Sequence, residues 1–175
     1  MPGLTIASGR FSVTPKLRPS AERQISRAKN AVAQFLFRQL IVPKIFVEAR
    51  WPDSNHRVDV MAVDRSGAGD VHVVEVMSGS KSASSVNRAA ASIMKVPAHF
   101  RYVALFPSEG YSWDGRLLYA PDGIGRVGLI RVTEDDAGNL AAEFLVRPER
   151  FRFEGSFKSV DKFTATHSAF IEIRP

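Results

Sequence analysis

The sequence has no cysteine, which excludes a disulfide framework and any thiolate metal site. That absence fits a reducing compartment. No apolar run approaches the roughly 20 residues needed to span a bilayer. Pro2, Gly3, Ser8, Gly9 and Arg10 stand where a signal peptide would place its apolar stretch, so the expected location is the cytoplasm. There is no internal repeat and no low-complexity tract. Acidic residues are the scarcer charge: 24 Lys and Arg against 18 Asp and Glu leave a net charge of +6. The pI of about 10.0 points toward polyanion partners such as nucleic acid.

What is present reads as globular. Apolar residues make up 45% and charged residues 24%, enough to bury a core. A length of 175 residues fits one domain. Residues 1–19 carry Pro2, Pro15 and Pro19 with Arg10, Lys16 and Arg18 and no sustained period, and are expected as a basic N-terminal arm. Residues 20–150 are expected as the α/β domain and 151–175 as an extension packed on it.

Ser20 makes a good N-cap, and Ile25, Ala28, Val32, Phe35, Leu36 and Leu40 recur at helical spacing until Pro43 closes the segment. Residues 45–51 alternate, with Ile45, Val47 and Ala49 on one face and Phe46, Glu48 and Arg50 on the other. Residues 57–64 and 71–77 read as two strands joined by a Gly-containing turn, hence a hairpin. A second helix over 81–96 follows, with Val86, Ala89, Ala90, Ile93 and Met94 facing inward and Pro97 ending it. The compact run 100–106 suits a buried strand, and a strand, a crossover helix and a strand make a parallel unit. Residues 111–119 fit helix or loop. Residues 125–132 and 140–146 suggest a terminal hairpin. The last 25 residues carry Phe151, Phe153, Phe157, Phe163 and Phe170 without a clear period.

One hairpin holds the unusual residues. Glu75 lies in the near-continuous apolar run 71–77, and Asp59 in a similar run on the neighbouring strand. A buried carboxylate needs a cation, a hydrogen-bond partner or a metal. Two carboxylates on adjacent strands suit a hard cation, since Mg²⁺ keeps several waters and needs only one or two of them.

The order α-β-β-β-α-β, with Arg57-Val58-Asp59-Val60 and Val74-Glu75-Val76-Met77-Ser78-Gly79, resembles the PD-(D/E)XK nuclease superfamily over roughly residues 20–107. The resemblance implies a restriction endonuclease-like α/β core with a central mixed sheet flanked by helices. It implies a Mg²⁺- or Mn²⁺-dependent endodeoxyribonuclease acting on DNA. Asp59 and Glu75 would bind the metal, with the backbone carbonyl of Val76 completing its inner shell and Glu22 or Glu48 as a further acid. Arg57, Lys81, Arg88 and Lys95 would hold the DNA backbone, and a homodimer is the assembly the resemblance suggests. The family's lysine, two residues after the acid, is Met77 here, and a thioether can neither support an attacking water nor balance charge. Lys81 or Lys95 is the candidate replacement. Without one, the chain is expected to be a catalytically silent nuclease-derived binding module, or else a structural or protein-interaction α/β domain.

Each residue also has a plainer reading. Glu22 suits a helix start through the macrodipole, and Lys95 suits a helix end. Glu48 fits a solvated or ion-paired strand position, and Asp59 a bridge to Arg57 or Arg50. Lys81 fits a solvated turn. His56, His72, His99 and His167 lack metal-ligand spacing. Ser78-Gly79-Ser80 before a helix offers backbone amides but not the phosphate-binding-loop pattern.

Overall fold

The structure, a computed structural model, describes residues 20–41, 43–51, 56–64, 69–78, 82–106, 126–151, 158–167 and 171–172. Its elements run α1 (Ala21–Gln39), β1 (Pro43–Arg50), β2 (Arg57–Asp64), β3 (Val71–Ser78), α2 (Ala83–Ile93), β4 (Phe100–Phe106), β5 (Gly128–Glu134), β6 (Leu140–Val146), α3 (Lys158–Thr166) and β7 (Ile171–Glu172). The chain is an α/β protein with one mixed seven-stranded sheet of order β6-β5-β4-β3-β2-β1-β7. Strands β3, β4 and β5 are parallel to one another. The pairs β1–β2, β2–β3, β5–β6 and β1–β7 are antiparallel.

Helix α1 starts where its sequence says. Ser20 is extended, and its side-chain oxygen accepts the Arg23 N–H at 3.4 Å. The chain leaves the helix at Leu40, and Pro43 opens β1 opposite Asp64 rather than ending the helix. A strand's first residue is one of the few places a proline fits in a sheet. Helix α2 begins two residues later than its apolar spacing suggests, because the Ser82 side chain caps it by accepting the Ser85 N–H at 3.2 Å.

The two faces of the sheet build two cores. On one, α1 lays Ala28, Val32, Phe35 and Leu36 over Ile45, Val60, Ala62, Val74, Ala104 and Ile130. On the other, Val86, Ala89, Ala90 and Ile93 of α2 cover Phe46, Met61, Val73, Val103 and Leu129. Helix α3 joins the second face. Val160 is buried there, and Phe163 meets Phe46 edge-on at 5.1 Å between ring centroids. Part of the 151–175 extension is therefore an ordinary helix of the domain, with Phe151 also in the core. No helix among the described residues is long and apolar enough to cross a membrane. Residues 111–119 and the arm at 1–19 lie outside the described residues.

A carboxylate fork met by a lysine

The strand alternation expected for β1 fails at one rung, and the failure builds the site. Ile45 and Val47 face α1, yet Ala49 joins Phe46 in the core under α2. On β2, Val60 and Ala62 face α1, while Val58 joins Met61 and Val63 on the α2 side. The register does not slip: Val47 pairs with Val60 and Ala49 with Val58. Both strands therefore turn over together at the rung between, where Glu48 stands opposite Asp59. Glu48 has φ 56°, a left-handed conformation uncommon for a residue with a side chain. That rotation turns both carboxylates toward α1.

Lys29 of α1 meets them. Its Nζ lies 2.8 Å from Asp59 Oδ1 and 2.9 Å from Glu48 Oε1. The lysine side chain is only 13% exposed, so its stem runs along the helix–sheet interface and only the ammonium reaches the acids. Burial pulls its pKa down. The hydrogen bonds and charges of Asp59 and Glu48 outweigh that and hold it above the ordinary lysine value. The Lys29 hydrogen bond and charge hold Glu48 below the usual carboxylate range, with Arg57 adding a smaller pull.

The other oxygen of Asp59 serves the third strand. Val76 N–H donates to Asp59 Oδ2 at 2.7 Å. The β2–β3 ladder ends at Val60 and Val74, so Asp59 caps an amide freed where the two strands diverge. By the same register Asp59 falls opposite Glu75. A residue in an antiparallel strand directs its N–H and C=O to the same neighbour, so the Val76 carbonyl faces this fork too. Glu75 alternates with Val73 and Met77 toward α2, where the Ser92 hydroxyl bonds its carboxylate. Burial pushes the Glu75 pKa up and the Asp59 charge adds to that, while Ser92 works the other way.

The expected residues thus fall into three groups. Asp59, Glu48 and the Val76 amide come together at the fork, while Glu75, opposite Asp59 in register, turns its carboxylate to the α2 side and meets the fork only through the Asp59 charge. Glu22 is exposed in the first turn of α1, Arg88 is exposed on α2 and Lys95 is exposed just beyond it. Among the described residues no bond joins any of these three to the fork. Lys81 lies outside the described residues. Met77 is partly buried against the core under α2, so the position of the motif lysine has become a packing position. The plain bridge of Asp59 to Arg57 or Arg50 is not formed; Lys29 takes that place. Neither Lys29 nor Ser92 belongs to the motif pattern, and neither was expected at the site. The signal for Lys29 is its place beside Ala28 and three residues before Val32, at the border of the apolar stripe.

The donors of the fork are oxygens, the chemistry a hard divalent cation prefers. The set is small: among the described residues no three His, Cys, Asp or Glu side chains converge as a metal site. Of the expected ligands, Asp59 and the Val76 carbonyl face the fork, whereas Glu75 would have to leave Ser92 to join an ion there.

No family model matches the chain, and no curated protein sequence matches it. A solved structure of a protein of unknown function from Silicibacter pomeroyi is similar over 82% of this chain and 83% of its own. The identity is 21% and the TM-score 0.45.

Proposed function

We propose that the fork is the active site of a metal-dependent nuclease hydrolysing DNA phosphodiester bonds, with Lys29 in the part that Met77 cannot play. The observation that carries this reading is the lysine supplied from another element onto Asp59, at 2.8 Å. A divalent ion bound there would polarise a phosphoryl oxygen and lower the pKa of its water. The chain's own groups divide the remaining work. Asp59, anchored by the Val76 amide, fixes the geometry of the fork. Glu75, opposite Asp59 in register and with its raised pKa, would turn from Ser92 to act as the base for a proton leaving an attacking water. Lys29 presents a permanent positive charge toward a phosphate's developing negative charge.

Cleavage of branched, single-stranded and duplex DNA with Mg²⁺ or Mn²⁺ tests this. Wild type should cut, and Glu75→Ala and Lys29→Met should each lose about 10²–10⁴-fold. Equal inactivity of wild type and Glu75→Ala sinks the reading.

A second reading draws on the same contact. Lys29 already bonds both Asp59 and Glu48, so the chain itself neutralises half of the fork's charge. A catalytically silent DNA-binding module would have that property, and it would bind DNA without turnover and without regard to Glu75.

A further inference from the structure

Next to the fork, the β1–β2 ladder ends on a pair that breaks the rules of strand pairing. Arg50 and Arg57 are direct cross-strand partners on the last rung of the ladder, next to which Trp51 N–H donates to the His56 carbonyl at 2.7 Å. Directly opposite side chains stand about 4.5–5.5 Å apart at Cβ, and like charges there are destabilising. Both arginines are exposed, and no carboxylate bonds either of them among the described residues. Other arginines are treated differently. Arg150 is bonded to Asp70 at 2.8 Å, and Arg131 to Glu143 across β5–β6.

The same turnover that aims Glu48 and Asp59 at α1 also sets the direction of this pair. Ala49 and Val58 are buried under α2, so their neighbours Arg50 and Arg57 project from the opposite face, the side on which Lys29 lies. Two residues of strand separate the pair from the acid rung, about 7 Å. Glu48 lends Arg57 some attraction from a distance, but no hydrogen bond or ion pair offsets the repulsion among the described residues, and a local rule broken in this way marks function more often than stability. Each guanidinium offers a planar fork of donors that matches phosphate oxygens. We propose that Arg50 and Arg57 form a clamp for a DNA backbone phosphate, holding the strand where it continues past the fork. This deepens the nuclease reading, on whose choice of DNA it rests, but it requires neither metal nor cleavage.

Binding of labelled duplex DNA in EDTA, followed through a salt series, tests the clamp without turnover. In Arg50→Ala/Arg57→Ala, affinity should fall at least about 10-fold, and the slope of log K against log salt should shrink by about 2, one for each arginine withdrawn from the DNA backbone. The control is Arg38→Ala/Lys162→Ala, which removes the same charge from α1's last turn and from α3, and should leave the slope nearly unchanged. Thermal melting supplies a readout independent of DNA. The clamp variant should melt no lower than wild type, because a repulsive pair has been removed. A lowered melting temperature, equal slopes in the two double variants, or no DNA binding by wild type overturns the clamp. Wild type that binds through the arginines yet never cuts leaves the clamp standing and removes the nuclease. Wild type that cuts with binding unchanged in the clamp variant does the reverse.

Discussion

Where β3 begins, Asp70 bonds Arg150 at 2.8 Å, and His99 accepts the Val71 N–H on Nδ1 at 3.0 Å. Where β3 finishes, Asp59 and Glu48 share Lys29. Each end joins acid to base, but they are built by different rules. At the beginning, the backbone closes the cluster: Asp64 N–H bonds the Asp70 carbonyl, His99 N–H the Val71 carbonyl, and Phe151 N–H the His99 carbonyl. Because His99 Nδ1 accepts a hydrogen bond, the ring is neutral there. Its 3.4 Å approach to Asp70 is then a contact rather than an ion pair, in keeping with a pKa lowered by burial. The left-handed residue near this end is Gly69, φ 72°, the residue type that adopts it freely. At the finish, the left-handed residue is a glutamate, the sheet splays, and the cation is nearly buried. The first end is a structural clamp holding the C-terminal segment to the sheet. The second bears local penalties that packing alone does not require.

If that contrast holds, removing the cation matters far more at the fork. Lys29→Met takes a charged hydrogen-bond partner from Asp59 in a part-buried site and should cost about 1.5–3 kcal/mol. Arg150→Ala breaks a solvent-screened pair whose arginine is 48% exposed and should cost much less. Urea unfolding of both variants measures this. Equal losses would make the fork an ordinary surface bridge. Adding Asp59→Asn to Lys29→Met should recover part of the loss, since the uncompensated carboxylate is then gone.

Acid should work on the other end of β3. His72 sits beside the clamp, buried, stacked on Phe100 and sharing a 2.9 Å hydrogen bond with the Tyr102 hydroxyl. Burial lowers its pKa from 6.5 to about 4. The unfolded chain therefore takes up a proton near pH 6.5 that the folded chain refuses until about pH 4. Stability is whole above the first value and is lost on the way down to the second. From about pH 7 to about pH 5 the loss is about 2 kcal/mol. His72→Phe/Tyr102→Phe removes the group without orphaning the hydroxyl and should reduce the slope in that window, leaving the part that His99 supplies. A slope unchanged in the double variant would assign the acid sensitivity elsewhere.

Much of this architecture is legible in the sequence, and the reasons differ by residue. The stripe from Ile25 to Leu40, the Ser20 cap and the runs 57–64 and 100–106 are periodic or bounded by breakers, so local chemistry suffices to place them. Asp59 and Glu75 come out as neighbours because a hairpin's register follows from its two runs. Lys29 does not, because which residue of a helix's flank reaches a strand depends on how the helix crosses the sheet. Lys81 and Lys95 are reasonable replacements only on the assumption that the lysine stays near its strand. Helix α3 escapes notice because its inward positions, buried Val160 and Thr164 and half-buried Phe163, give little more than one apolar turn in nine residues. The turnover at Glu48 is invisible for a deeper reason: alternation is a default, and nothing in Val47-Glu48-Ala49 announces a left-handed residue.

That residue gives the smallest and most local test of the contrast. Glu48→Ala and Glu48→Gly both delete the carboxylate and its bond to Lys29, so the difference between them isolates the backbone. Glycine adopts φ 56° without the Cβ clash that alanine brings, so Glu48→Gly should be the more stable by about 1 kcal/mol. Gly69 sets the scale at the other end of β3. Gly69→Ala should cost about 1 kcal/mol although no atom lies within 4 Å of the added Cβ, because the strain there is conformational rather than steric crowding. Paired melting curves measure both. If Glu48→Ala matches Glu48→Gly, the rung relaxes to an ordinary strand once the glutamate is gone. The left-handed turn would then be held by the Lys29 bond itself, making the lysine the cause of the fork's geometry rather than its occupant.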